Sequence, residues 1–343
     1  MRDVPSPAPE ERISSLTLRG LTLRPALFCA PMAGLTHSAF RRLLADFGGH
    51  GALFTEMLCG RWLLGESLHA SPAVKRREIE GPVFYQLMIR HASEVPAVLD
   101  RLRPVAPVAL DLNCACPAPN IRAAGAGSEL FEDPGRLQPI LQALREGFPG
   151  PLTVKIRLGQ PHGDWQGRLS DRLHLLADCG VDAVTLHPRF ATEKLKRRAR
   201  HEFLPTFAAA TSLPLIASGD IHGPEVVWMH PEHFAGVAGI MVGRRAVVQP
   251  WTFAAWEGGL APPDPHEVWQ RFVRYVLEDF PPGKAFYRIK AFTRYYARNF
   301  RFGHTLDTIA QAAPNLDTLT ARAGEFLAAT PPLARTPDLA GLA

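Results

Sequence analysis

The stretch PVALDLNCACPAP (107–119) decides the reading of the fold. Its first seven residues are nearly continuous in hydrophobicity and end on Asn113; two cysteines and two prolines follow. A short apolar run with a polar tip is how a buried parallel strand reads when both of its faces are covered. The same pattern occurs eight times before residue 250. The runs are ALFCAPMAG (26–34), ALFTEM (52–57), PVFYQLM (82–88), PVALDLN (107–113), LTVKIRLG (152–159), AVTLHPR (183–189), PLIASGD (214–220) and GIMVGRR (239–245). Amphipathic stretches such as SAFRRLLADFG, PGRLQPILQALREGF and SDRLHLLADCG lie between them, with apolar residues spaced by three and four. Eight strand–helix repeats over roughly 230 residues predict a (β/α)8 TIM barrel.

EGGLAPPDPH (257–266) interrupts the rhythm, and its glycines and prolines mark a linker. Beyond it the chain reads as helical: HEVWQRFVRYVLEDF, KAFYRIKAFTRYYARNF and a segment over about 305–328. The expected organisation is a disordered leader (1–15), a catalytic barrel (16–256), a linker (257–266), a small C-terminal helical domain (267–330) and a loose tail (331–343). The chain has 343 residues, 46% hydrophobic and 21% charged, which is ordinary for a globular protein. No apolar run is long enough for a transmembrane helix, and the leader lacks a signal-peptide core. Five scattered cysteines do not make a disulfide framework. A cytoplasmic monomer without membrane contact is expected. The net charge of +5 permits a polyanionic partner without requiring one.

In such a barrel the active site lies at the C-terminal strand ends. The tips here are Pro31–Gly34, Glu56, Gln86, Asn113–Cys116, Lys155 with Arg157, His187 with Arg189, Ser218–Asp220, and Gly243 with Arg244. Any one of these has a structural explanation, but polar residues at matching positions in eight strands are harder to explain that way. Glycine turns after strands seven and eight suit the recurrent phosphate site of this fold, where Arg244 can add a bidentate contact. A phosphate site with a glutamine for a ring edge and a lysine for negative charge points to a phosphorylated planar cofactor, FMN.

The stretches APMAGLTHSAFR, TEM, FYQL, DLNCACPAP with GAGSEL, VKIRLG, LHPR, SGDI and MVGRRAVVQPW follow one another in order, one set per strand, from residue 29 to about 253. In these the chain resembles the tRNA-dihydrouridine synthases, flavin enzymes that reduce uridine in tRNA. The resemblance implies that Pro31, Met32 and Ala33 line the flavin. Gln86, Lys155 and His187 would touch its ring or ribityl chain. Ser218, Gly219, Asp220, Gly243 and Arg244 would hold its phosphate. Asn113 would contact the uracil, Arg189 would bind substrate, and Cys116 falls on the catalytic cysteine. NADPH or NADH would be the reductant. Ala115, Pro188 and Ser218 depart from the family's usual residues.

The CxC pair needs its own reading. A metal centre requires three or four ligands, and no second Cys/His cluster is spaced to complete this one, so no metal is expected. A redox pair is more often CxxC. One working thiol remains. Reduction of uracil adds a hydride to C6 and a proton to C5, and a cysteine with an ordinary pKa of about 8.5 still holds its proton near pH 7. Cys116 is the expected acid and Cys114 a packed strand residue. GAGSEL (125–130) is expected as a hinged loop over the site, with a plain helix-entry turn as the alternative.

Between residues 284 and 304 the chain carries Lys284, Arg288, Lys290, Arg294, Arg298 and Arg301 and no acidic residue. Lys290, Arg294, Arg298 and Arg301 would share a helix face and are expected to meet tRNA phosphates, with Ile289, Phe292, Tyr296 and Phe300 facing the core. KLKRRAR (194–200) would meet tRNA at the catalytic rim. A small-molecule dihydropyrimidine- or dihydroorotate-type dehydrogenase is the alternative, but it has no use for a basic helical domain. A tRNA-binding protein without catalysis would not need Cys116 and Lys155. A metal-dependent hydrolase would need His and Asp clustered at the tips.

Overall fold

The computed structural model describes residues 15–343 except 194, 257, 259, 335, 336, 338, 340 and 343, so residues 1–14 of the expected leader lie outside the described residues. Eight parallel strands follow the eight apolar runs: β1 Leu27–Cys29, β2 Leu53–Phe54, β3 Val83–Met88, β4 Ala109–Cys114, β5 Leu152–Arg157, β6 Ala183–His187, β7 Leu215–Ser218 and β8 Val237–Val242. They pair in chain order, and β8 returns to β1. Closure between β1 and β2 comes from a parallel bridge between Phe28 and Ala52 and from the Gly51 amide donating to the Leu27 carbonyl at 2.8 Å. Strands β3 to β5 are buried at all six positions, which is why their hydrophobicity is continuous rather than alternating.

A hairpin, Leu16–Leu18 with Leu21–Leu23, closes the end of the barrel opposite the tips. Its Leu16, Leu18 and Leu23 pack with Phe28, Phe54 and Phe84, the last two stacked at 4.8 Å. Outer helices start at side-chain caps: His37 for Ser38–Phe47, Asp133 for Pro134–Gly147 and Asp164 for Trp165–Asp178.

The C-terminal helices are Pro265–Asp279, Pro282–Tyr296, Gly303–Ala312 and Leu316–Ala328. The single segment expected over about 305–328 is two helices. Pro314 cannot continue the first, and the Asn315 side chain caps the second by accepting from the Thr318 amide at 2.9 Å. Ile289, Phe292, Tyr296 and Phe300 are buried, as their spacing indicates. Phe292 stacks on Phe272 at 3.8 Å and meets Phe40 of the barrel at 6.2 Å, so one apolar core runs through both parts. Part of the expected loose tail is packed: Leu339 and Leu342 are buried with Val248 against Tyr295, while Pro332 and Leu333 are exposed. Among the described residues no helix is long and apolar enough to cross a membrane.

Asp279 ties the helical part to the barrel. Its carboxylate accepts from Ser38, from Lys75 at 2.6 Å and from Arg77 at 2.5 Å. Burial alone would raise its pKa, but the hydrogen bonds from Arg77, Lys75 and Ser38 hold it down at about 2. A carboxyl depressed in the fold stabilises most when ionised, above its unfolded pKa of about 3.9. That contribution, on the order of 2 kcal/mol, should be lost as pH falls from about 4 to about 2. Asp279→Asn should therefore cut the urea midpoint at pH 7 and flatten its acid dependence over that window. An unchanged acid limb would contradict the assignment.

Candidate active site

Parallel pairing sets the strand tips level with one another. Gln86, Asp111 and Thr153 are neighbours across β3, β4 and β5; one layer nearer the mouth, Asn113 faces Lys155, and then Arg157 faces His187. Alternate residues of a strand share a face, so these polar groups converge inside the mouth of the barrel. Of these, Gln86, Asn113, Lys155, Arg157 and His187 line one cavity with Pro31, Met32, Ala33, Cys116, Arg189, Ser218, Gly219, Asp220, Gly243 and Arg244. The cavity thus gathers all the site residues expected from the barrel sequence. Lys290, Arg294 and Arg298 of the helical part do not line it.

Cys116 sits just past the end of β4. The Asn113 Oδ1 accepts from the amides of Ala115 (3.2 Å) and Cys116 (3.0 Å), so it holds the turn that presents the thiol. The Ser128 amide donates to the Cys116 carbonyl at 3.0 Å. Gly127 makes this approach possible: its φ is +61° and a Cβ there would stand 2.6 Å from that carbonyl oxygen. In place of the expected hinged loop, Gly125–Gly127 form a packed turn and Ser128–Leu130 open the next short helix, with Arg136 donating to the Gly125 carbonyl at 2.7 Å, so the alternative helix-entry turn is what the fold forms. Cys114 is fully buried, and burial pushes its pKa up, as befits a packing residue.

Burial lowers the Lys155 pKa to about 8; Arg157 adds to the effect, while Asp111 and Cys116 oppose it. His187 is held well below its ordinary value, first by burial and then by the surrounding Lys155, Arg157, Arg189 and Arg244. It is therefore neutral. Arg189 donates to its Nε2 at 2.7 Å, which leaves the ring proton on Nδ1.

Three of the expected site residues also brace the frame of the cavity. Arg189 is almost wholly buried and donates to His187, to Asp220 and to the Arg197 carbonyl, so it braces the cavity it lines. The Asp220 carboxylate accepts from Arg189, from Arg244 at 2.9 Å and from the Ala199 amide at 2.8 Å. Burial opposes its ionisation, but these donors keep its pKa low, so it clamps two arginines where the sequence suggested a phosphate ligand. Arg244 also donates to the Leu339 and Leu342 carbonyls at 3.2 Å, which fastens the chain end over the site.

Sequence reading left out Asp111, His222 and Arg245. Arg245 lines the cavity just after β8, and its buried Nε has no partner among the described residues. Beside it, Gly219 and Asp220 take successive left-handed conformations, φ +93° and +48°. An orphaned guanidinium nitrogen next to such a turn fits a phosphate group.

In the helical part, Lys290 donates to the Gln311 and Ala313 carbonyls at 2.9 and 2.8 Å and so anchors the end of the Gly303–Ala312 helix. Arg294 and Arg301 are exposed and Arg298 is half-buried. At the rim, Lys196, Arg197 and Arg198 are exposed, while Lys194 lies outside the described residues.

The Dihydrouridine synthase (Dus) family profile matches residues 28–321. The tRNA-dihydrouridine synthase B of Yersinia pestis is 28% identical over 319 residues, covering 86% of this chain and 95% of that protein. Its Escherichia coli K12 counterpart is 28% identical over 318 residues, covering 87% and 96%. Among solved structures, the old yellow enzyme of Trypanosoma cruzi superposes with a TM-score of 0.54 at 9% identity, covering 79% of this chain and 98% of that one. Morphinone reductase gives 0.52 at 11% identity, covering 79% and 94%. These two likenesses speak to the barrel alone. The family match takes in all eight strands, the cysteine turn and most of the helical part, and the chain belongs to the dihydrouridine synthase family.

Proposed function

We propose that this chain reduces the C5–C6 double bond of a uridine in tRNA to 5,6-dihydrouridine, with FMN as cofactor and NADPH or NADH as reductant. The observation that carries the reading is the meeting of Cys116, Lys155, His187 and a phosphate-type turn in one cavity of a dihydrouridine synthase family member. Gln86, Lys155 and His187 would hold the ring edge, and Pro31, Met32 and Ala33 an adjoining wall. Ser218, the Gly219 and Gly243 backbones, Arg244 and Arg245 would receive the phosphate. Bound there, FMN supplies the hydride that reaches C6 of the uracil.

The chain's own residues do the rest. Cys116, held by Asn113, gives its proton to C5 from the face opposite the hydride. Lys155, in its charged form below pH about 8, favours negative charge on the neighbouring ring. Arg294, Arg298 and Arg301, with the basic rim at 196–198, suit the tRNA backbone. The target base must leave its stack to reach a cavity inside the barrel mouth.

Incubating the protein with FMN, NADPH and unmodified tRNA and analysing the digested nucleosides by mass spectrometry should reveal dihydrouridine; its absence with every reductant would reject the proposal. Lys155→Met should lower the midpoint potential of the bound cofactor. It should also abolish the extra fall in potential that the native protein shows as pH rises through about 8. A spectroelectrochemical titration reads both, and equal potentials across that range would remove Lys155 from this role.

A further inference from the structure

We propose that Asp111 is a positioning residue that dictates which way the amides of Gln86 and Asn113 face, and thereby leaves Asn113 with only a hydrogen-bond donor for the substrate base. Hydrogen-bond polarity runs in one direction along a buried chain of side chains. At one end the Asp111 carboxylate accepts from Thr153 and from the Gln86 Nε2, both at 2.6 Å. A carboxylate only accepts, so Gln86 must turn its NH2 toward Asp111 and its Oε1 away. Oε1 then accepts from the Asn113 Nδ2 at 2.8 Å. At the far end, two backbone amides donate to the Asn113 Oδ1. Backbone N–H groups only donate, so both ends demand the same orientation. Flipping either amide would set donor against donor and acceptor against acceptor.

The strand register makes the chain possible, because Gln86, Asp111 and Thr153 stand level on adjacent strands. Gln86, Asp111 and Asn113 are all buried, where an unmade hydrogen bond is costly. Burial raises the Asp111 carboxyl to about pKa 6, so it is an acceptor at neutral pH.

Counting valences gives the consequence. Both lone pairs of the Asn113 Oδ1 are used, and one N–H remains. Asn113 can therefore meet a carbonyl oxygen of the base but not its ring N3–H. Only the identity of that base rests on the functional reading above. The orientation of the Cys116 turn does not.

Asp111→Asn and Asp111→Leu separate this from a general structural role. Asparagine can still accept from Gln86 while its own NH2 donates to the Thr153 hydroxyl, which turns round; leucine cannot. Two readouts apply. The first is the rate at which iodoacetamide alkylates Cys116, followed by peptide mass spectrometry, which requires neither cofactor nor tRNA. The second is the rate at which unmodified tRNA oxidises the NADPH-reduced protein. Asp111→Asn should stay within about threefold of the native protein in both. Asp111→Leu should change the alkylation rate severalfold and slow the tRNA step about tenfold or more.

In an Asn113→Ala background, Asp111→Leu should add nothing to the loss in the tRNA step, because its effect passes through Asn113. Should Asp111→Leu fail to fold, Gln86→Met cuts the chain at its middle and carries the same expectation for the alkylation rate, which needs no cofactor. Equal damage from the asparagine and leucine variants, or additive losses in the cycle, would overturn the proposal. A native protein that tRNA does not oxidise would instead overturn the functional reading, and the alkylation rates would still decide the role of Asp111.

Discussion

Cys116→Ala leaves the cofactor bound and its reduction by NADPH unchanged, while oxidation of the reduced protein by tRNA slows by on the order of 10²–10⁴-fold. The split follows from where the thiol sits. It lines the cavity mouth on the turn after β4 and takes no part in the phosphate end at β7 and β8. The turn is held through backbone atoms, by the Asn113 Oδ1 on the Cys116 amide and by the Ser128 amide on the Cys116 carbonyl. Replacing the thiol by a methyl group spares both, so the loop keeps its shape and only the proton donor is lost. Rapid-mixing absorbance measured separately for the two half-reactions checks this. An equal loss in both would make Cys116 a binding residue, and no loss in either would remove it from the reaction.

Gly219→Ala should be the most damaging single methyl at the phosphate end. The residue has a φ of +93°, and a Cβ there would stand 2.6 Å from the His187 Cδ2 and 2.7 Å from its Nε2. The imidazole cannot simply turn away, because Nε2 accepts from Arg189, which is itself clamped by Asp220. Both the left-handed backbone and the His187–Arg189–Asp220 arrangement would have to shift, at a cost of roughly 1–3 kcal/mol. FMN affinity should fall by about 10- to 100-fold and riboflavin affinity by much less, since the change falls on the phosphate turn. Fluorescence titration with the two ligands reads the difference. Equal losses would place the phosphate elsewhere.

The barrel could be read from the chain because closed parallel sheets bury both faces of each strand. That gives runs such as PVFYQLM and LTVKIRLG their unbroken hydrophobicity, and β1 to β8 fall on the eight such runs. The cavity residues were readable because the C-terminal strand ends converge whatever the loops do. Asp111 was missed because, taken alone, an acidic residue inside an apolar run says nothing about its partners. Only the register between β3, β4 and β5 brings Gln86 and Thr153 level with it. A usable signal was present all the same: Asp111 and Asn113 lie two residues apart and so share the inward face.

Arg189 and Asp220 were assigned by position along the chain, and position does not reveal that they pair with each other. The partners of Lys290 were hidden for a similar reason. A helix-face argument places it in a row with Arg294 and Arg298 but cannot show the helix end at Ala313 that takes up its ammonium. The packed chain end was invisible because its anchor, Arg244, lies about a hundred residues earlier.

A uridine in tRNA, and not a free base, is the proposed acceptor of the reducing equivalents. The most direct measurement is anaerobic. The flavin-loaded protein is reduced with NADPH, mixed with unmodified tRNA, free uracil or orotate, and followed by its visible absorbance. Fast recovery of the oxidised spectrum with tRNA alone is the predicted result. Recovery with free uracil or orotate and none with tRNA would contradict it and identify a small-molecule dehydrogenase.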